Sequence, residues 1–110
     1  MQITVKNENE VKVLEFSGNL DTQTFSDAHD KLIEMIDKGE TKILANFERL
    51  EYISSAGLRT LLIAAKQLNL VGGEIRICCL NDVVNEVFNI SGFETIFKIF
   101  RSESEALDGF

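Results

Sequence analysis

Two hydrophobic periods alternate along this chain, and the order of their alternation limits the folds that it can adopt. Short apolar runs suited to strands are separated by segments in which apolar residues recur every three or four positions, as in amphipathic helices. The predicted order is β β α β α β α β α. Because strands that alternate with helices need crossover connections, we predict an α/β fold with a mixed, mostly parallel sheet and an N-terminal β-hairpin. The strand-like runs are 3–6, 11–16, 42–47, 74–80 and 95–100.

The helices are predicted from apolar stripes and from their capping residues. The first is expected from Thr22 to Gly39, after residues 18–21 interrupt the strand pattern. His29 falls near its apolar stripe, so we expect this histidine to be half-buried at the edge of the core. The remaining helices are marked by apolar residues from 58 to 68, by a cap at Asn81, and by the capping box Ser102-Glu103-Ser104-Glu105.

Size and composition indicate one globular domain, residues 1–110. Apolar residues make up 45% of the 110 positions and charged residues 26%, which is ordinary for a folded domain. The longest apolar stretch, around residues 61–65, is far shorter than the roughly 20 residues that a membrane span needs. No basic segment followed by an apolar one marks the start for secretion. We therefore expect a cytoplasmic protein without a membrane segment.

The net charge of −7 argues against nucleic-acid binding, which depends on lysines and arginines that neutralise phosphates. A protein partner fits this charge better. With a single histidine and no C-x-x-C spacing, the chain has no ligand set for a structural zinc ion, so neither a metal nor another cofactor is expected. Cys78 and Cys79 are adjacent in a predicted strand, and their side chains are expected on opposite faces as reduced thiols.

The strongest candidate for function is the serine pair Ser54-Ser55, which lies between a strand-like run and the second predicted helix. Either hydroxyl could cap the helix by accepting a hydrogen bond from an unpaired backbone N–H. Alternatively, a serine at this position could carry a phosphate, because the positive end of the helix dipole tolerates negative charge. The spacing alone does not separate these two hypotheses.

The residue pattern does not favour an enzyme. A serine hydrolase needs a base beside its nucleophile, and His29 lies on a helix face well before the serine pair. Asn46 follows the central strand where a phosphoacceptor receiver domain would need an aspartate. A small-molecule enzyme with Cys78 or Cys79 as its nucleophile remains an alternative, against the simpler interpretation that both are packed apolar groups.

Two motifs together carry a family resemblance. Gly18-Asn19-Leu20-Asp21 and Tyr52-Ile53-Ser54-Ser55-Ala56-Gly57-Leu58, with Ile90-Ser91-Gly92-Phe93 near the end, resemble the STAS domain family, specifically the bacterial anti-sigma factor antagonists. The resemblance covers nearly the whole chain. It implies a single STAS-type domain of about five strands and about four helices, with the helices packed mainly on one face of the sheet.

The resemblance also implies a mechanism without catalysis. The unphosphorylated protein would bind an anti-sigma factor serine kinase with a histidine-kinase-like ATPase fold and free the sigma factor. Phosphorylation of Ser55, with Ser54 as the competing acceptor, would abolish that binding, and a PP2C-type phosphatase would reverse it. As a monomer or weak dimer, the chain would contact its partner through Asp21, Thr22, Ser54, Ser55, Ala56, Gly57, Leu58 and Arg59.

Two departures from the family pattern concern the acceptor. Ser54 stands where many relatives carry aspartate, and Ala56 where some carry a second hydroxyl. The same type of domain also serves as a scaffold that is not phosphorylated, in transporter-associated or multiprotein stress-signalling complexes. That role is the alternative to the antagonist function.

Overall fold

One five-stranded sheet forms the centre of the molecule, as seen in a computed structural model that describes all 110 residues. The strands are β1 (Gln2–Glu8), β2 (Val11–Leu20), β3 (Lys42–Ile53), β4 (Glu74–Cys78) and β5 (Lys98–Phe100), and they lie side by side in chain order. β1 and β2 form an antiparallel hairpin, and β2 to β5 run parallel. The predicted mixed, mostly parallel sheet with an N-terminal hairpin is confirmed.

Four α-helices connect or follow these strands: α1 (Phe25–Asp37), α2 (Ser55–Leu70), α3 (Asp82–Ser91) and α4 (Glu103–Leu107). Successive residues of a strand point to opposite faces of a sheet, and Ile43 and Leu44 of β3 accordingly belong to different apolar clusters. The larger cluster contains residues of α1, α2 and α3, whereas the smaller one contains Ala106 of α4. Three helices therefore pack on one face, and the short α4 packs on the other.

Arg76 of β4 holds the C-terminal segment against the second face of the sheet. Its guanidinium donates hydrogen bonds to the carbonyls of Ala106 at 2.9 Å, Asp108 at 3.0 Å and Gly109 at 3.0 Å. The same group lies over the ring of Phe110, 4.3 Å from its centroid. Arg76 is only 6% exposed, and its charge is compensated in this buried position by these partners together with the Glu74 carboxylate, whose Oε2 lies 3.2 Å from Nε. The sequence analysis did not identify this arrangement.

The first half of the chain departs from the predicted boundaries in ways that matter for the site. β2 continues through residues 18–20, which were predicted to interrupt it. Gly18 has φ +100° at an irregularity in the pairing of β2 with β3, a conformation that favours glycine. α1 begins at Phe25 rather than Thr22, because residues 21–24 form a separate turn.

The lengths of the other strands also differ from the prediction: β1 runs from Gln2 to Glu8 rather than over 3–6, and β4 ends at Cys78 rather than at residue 80. β3 does not end at Phe47 but continues to Ile53, where Leu50 and Ile53 still face the core while Glu51 and Tyr52 between them are exposed. β5 begins at Lys98 rather than Thr95, because a 3-10 turn spans Phe93–Thr95.

The cysteine pair also differs from the prediction. Cys79 has φ +68°, so the backbone is not extended there and the two side chains do not point to opposite faces. Their sulfur atoms lie 3.0 Å apart as free thiols. Burial raises the pKa of the Cys78 thiol, and the neighbouring Cys79 raises it further. These are poor conditions for a nucleophile, since the thiolate is the reactive form.

Several local predictions are confirmed. Asn81 caps α3 by accepting a hydrogen bond from the N–H of Val84 at 2.8 Å, and Ser102 caps α4 through the N–H of Glu105 at 3.2 Å. His29 is half-buried on α1.

None of the helices combines the length and the apolar character of a membrane span.

Candidate functional site

The carboxyl ends of β2 and β3 bring the two predicted motifs together. Leu20 and Ile53, the last residues of these strands, are paired in the sheet. Immediately after this pair, the backbone N–H of Ser54 donates a hydrogen bond to the carbonyl of Leu20 at 2.9 Å. The turn that begins at Asp21 and the serine pair at the start of α2 consequently lie beside each other at one edge of the sheet.

The two serines have different positions in the helix. Ser54 is the N-cap of α2, with an extended backbone, and its Oγ accepts a hydrogen bond from the N–H of Gly57 at 3.4 Å. Ser55 is the first helical residue; its side chain is exposed and its hydroxyl makes no hydrogen bond within the protein. The first turn of α2 contains no acidic residue of its own to interact with the positive end of the helix dipole. This N-terminus therefore favours an added negative charge.

Gly57 is needed because α2 starts very close to the end of β2. A Cβ atom at this position would lie 2.8 Å from Cγ and O of Leu20 and 2.8 Å from Cγ1 of Ile53. Leu58, the next residue, is 3% exposed and packs in the main core. Gly57 and Leu58 were both predicted to contact a partner, but their burial gives them a structural role, because they allow the start of α2 to pack against the sheet.

The turn at Asp21 is more ordered than a freely exposed turn. The Asp21 carboxylate accepts a hydrogen bond from the N–H of Gln23 at 2.9 Å. The Thr24 hydroxyl accepts one from the N–H of Asp21 at 2.9 Å and donates one to the carbonyl of Asn19 at 2.7 Å. Asp21 is half-buried as a result, whereas Thr22 is exposed at the tip of the turn.

Arg59 lies one turn beyond Ser55 on α2 and is exposed. It takes part in none of the seven salt bridges of the chain. Residues four apart on a helix are neighbours on its surface, so the guanidinium and the Ser55 hydroxyl share one side of α2. Of the predicted contact residues, Thr22, Ser55 and Arg59 are exposed, and Asp21, Ser54 and Ala56 are half-buried.

A second polar cluster lies on the face that carries α4, and the sequence analysis missed it. The buried Asn46 donates a hydrogen bond from Nδ2 to Glu103 at 2.9 Å, and Lys6 pairs with Glu103 at 2.9 Å. Burial of the Glu103 carboxyl raises its pKa, but the hydrogen bonds from Lys6 and Asn46 outweigh that effect and leave the pKa below its ordinary value. This cluster fastens α4 to the hairpin and β3.

These features define a small α/β domain whose distinguishing site is an exposed serine at a helix N-terminus, beside an ordered aspartate turn. The chain belongs to the STAS domain family, whose model matches residues 2–106. It is 48% identical over 80 residues to BtrV of Bordetella bronchiseptica, which is assigned as an anti-sigma factor antagonist; the match covers 73% of this chain and 69% of BtrV. It is 29% identical over 108 residues to the anti-sigma F factor antagonist of Paenibacillus polymyxa, covering 97% and 92% of the two chains.

Solved structures agree with this assignment. The unphosphorylated form of the anti-sigma factor antagonist SpoIIAA matches with a TM-score of 0.84 and 28% identity, covering 97% of this chain and 94% of that one. The phosphorylated form of SpoIIAA, a Bacillus cell fate determinant, matches with a TM-score of 0.75 and 27% identity, covering 97% of each chain. The relatives of this chain thus include a protein whose structure is solved with and without phosphate.

Proposed function

We propose that this chain is an anti-sigma factor antagonist that binds an anti-sigma factor serine kinase and thereby frees the sigma factor. Phosphorylation of Ser55 ends the binding. The observation that supports this proposal most is the division between the two serines: Ser54 caps α2, whereas the Ser55 hydroxyl is exposed and unbonded. SpoIIAA, a relative with the same fold, has been solved in both phosphorylation states.

The modification is a transfer of the terminal phosphoryl group of ATP to Oγ of Ser55. The hydroxyl proton leaves, ADP is released, and a phosphate monoester remains at the first position of α2. A negative group there gains on the order of 0.3–1 kcal/mol from the helix dipole. Because Ser55 is exposed, the phosphate also needs no space within the core. The fold should therefore survive phosphorylation.

Phosphorylation must therefore act on the interface with the kinase rather than on the fold. A phosphate carries nearly two negative charges at neutral pH, so a partner surface fitted to a small hydroxyl meets extra volume and a charge that must lose water. A penalty of about 2.7 kcal/mol weakens binding a hundredfold. One misplaced charge in an interface is sufficient for a penalty of this size.

The remaining residues of the site have distinct parts in this proposal. Thr22 and Arg59 are exposed and available to the kinase, and Asp21, which the turn holds in place, contributes to recognition by the kinase. Ser54 replaces the aspartate of many relatives and supplies a neutral cap. Ala56 leaves no second hydroxyl in the first turn, so Ser55 is the acceptor that remains.

The chain itself carries out no catalysis in this scheme. A PP2C-type phosphatase removes the phosphate and restores binding, in the cytoplasm where sigma factors act. The domain works as a monomer or a weak dimer.

The direct test is to incubate the protein with its cognate kinase and ATP and to map the phosphate by mass spectrometry. We expect phosphate on Ser55 alone. The Ser55→Ala variant should bind the kinase and remain bound in the presence of ATP, whereas Ser55→Asp should bind weakly from the start. Phosphate on Ser54, or no phosphate at all, contradicts the assignment.

The alternative is a docking scaffold that is not phosphorylated, and exposed apolar side chains on the helices favour it. Ile90 of α3 is 80% exposed and Leu70 at the end of α2 is 79% exposed. A scaffold should form stable larger assemblies in gel filtration with its partners, and no kinase should modify Ser55. The antagonist predicts the opposite on both counts.

A further inference from the structure

A groove runs between α1 and α2, and it begins beside the phosphate acceptor. Two large apolar side chains are partly exposed there, Phe25 at 40% and Ile63 at 36%, while other apolar residues of the same helices, such as Leu32 and Leu61, are fully buried. The groove is lined by Phe25, His29, Ala56, Arg59, Thr60 and Ile63.

The groove also contains an unpaired positive charge. Arg59 is exposed and takes part in no salt bridge, although the chain carries a net charge of −7. Arg49, Lys66 and Arg101 also have no salt bridge, but Arg59 is the only lysine or arginine that lines this groove. A free guanidinium next to apolar side chains is suited to a carboxylate that arrives with an apolar neighbour.

The groove is continuous with the Ser55 site. Ala56, which lines the groove, is the residue after Ser55, and Arg59 is four positions further along the same helix. Side chains with this spacing lie about 5–6 Å apart at Cβ. Whatever covers the Ser55 hydroxyl therefore also reaches the end of the groove at which Arg59 lies.

We propose that this groove is a docking site for the anti-sigma factor kinase, which places an apolar side chain between Phe25 and Ile63 and a carboxylate on Arg59. This inference rests on the proposed function and adds to it the chemistry of the partner surface. It also gives the phosphate a second effect: a phosphate on Ser55 competes with the partner's carboxylate for the same guanidinium.

The test compares charge and polarity changes inside the groove with matched changes outside it. We expect Arg59→Glu and Ile63→Asp each to weaken binding of the unphosphorylated protein to its kinase at least tenfold by titration calorimetry. Arg49→Glu is the charge control, because Arg49 is exposed on β3 and lines a different depression with Thr4 and Ser17. Ile90→Asp is the polarity control on α3. Both controls should bind like the unmodified protein.

Further variants separate a specific contact from a general effect on the fold. Arg59→Lys keeps the charge and should retain most of the affinity, and thermal unfolding of Arg59→Glu should match that of the unmodified protein. Changing the contacting carboxylate of the kinase to lysine should restore binding to Arg59→Glu.

The outcomes also distinguish the two proposals. If the unmodified protein binds its kinase and is released by phosphorylation, yet Arg59→Glu and Ile63→Asp bind equally well, the groove is not the docking site and the proposed function stands. If the unmodified protein binds no anti-sigma factor kinase, both proposals fail together.

Discussion

The side-chain oxygen of Ser54 accepts a hydrogen bond from the backbone N–H of Gly57 at 3.4 Å. Ser54 thereby satisfies one of the free N–H groups at the start of α2, whereas the hydroxyl of its neighbour Ser55 makes no such hydrogen bond. Two adjacent serines that are identical in chemistry are thus distinguished by their positions relative to the first turn of a helix. The proposed function depends on this difference.

Removing the cap should affect stability more than removing the acceptor. Because the bond is long for an N–H···O contact, we expect Ser54→Ala to lower the free energy of unfolding by about 0.5–1 kcal/mol, the lower part of the range for N-caps. Ser55→Ala should change it by less than about 0.5 kcal/mol, as is usual for an exposed side chain. Urea denaturation of both variants measures the difference; an equal loss in both contradicts the assignment of the cap.

For Gly57→Ala, helix propensity and close packing predict opposite changes in the free energy of unfolding. Alanine is the better helix former by about 1 kcal/mol, so helix propensity alone predicts stabilisation. The contact of the new Cβ with Leu20 at 2.8 Å instead predicts destabilisation by about 1–3 kcal/mol, because the helix must move away from the strand. Ala56→Gly, one position earlier and half-buried, is the control. Its free energy of unfolding should fall only by the amount that reflects the lower helix propensity of glycine. A stabilised Gly57→Ala protein would refute the close packing.

Arg76→Ala should release the C-terminal segment. The substitution removes three hydrogen bonds from the buried guanidinium to the C-terminal segment, its ion pair with Glu74, and its contact with the ring of Phe110. We expect a loss of about 2–3 kcal/mol in stability and faster amide hydrogen exchange in residues 106–110. Arg101→Ala, at an exposed arginine, is the matched control. Unchanged exchange in the terminal segment would show that Arg76 does not hold it.

The stability of the fold should depend on pH through Glu103. Its pKa in the folded state lies below the ordinary value, because the hydrogen bonds from Lys6 and Asn46 outweigh burial. Stability from this group is therefore present above the pKa of the unfolded chain and is lost as the pH falls through the lower folded value. We expect Glu103→Gln to flatten the acid side of the curve of unfolding free energy against pH, and the exposed Glu105→Gln to leave it unchanged. Identical curves for all three proteins would contradict the role of Glu103.

The sequence predicted the architecture because each element follows a local rule. Apolar periodicity identified the strands and helices, and the caps at Asn81 and Ser102 lie where their side chains indicate. The errors occur where distant contacts decide the backbone. The extension of β3 to Ile53 depends on pairing with β2 across two irregularities in register, and no local pattern in either strand reports that pairing.

The family resemblance gave Ser55 as the acceptor and Ser54 as its competitor, and that choice stays a prediction. What the sequence alone left open is which serine caps α2, because the cap depends on where the helix starts, and the structure places it at Ser54. The burial of Gly57 and Leu58 likewise follows from how closely α2 approaches β2. The cluster of Lys6, Asn46 and Glu103 joins three distant parts of the chain, and spacing in the sequence gives no signal for it.

In the proposed function, a phosphate on Ser55 abolishes binding to the anti-sigma factor kinase while leaving the fold intact. Titration calorimetry of the kinase against two preparations, one unmodified and one with phosphoserine incorporated at position 55, measures this effect. We predict affinity at least a hundredfold lower for the phosphorylated protein, with thermal unfolding that is unchanged or slightly raised. Equal affinity of the two preparations would contradict the claim.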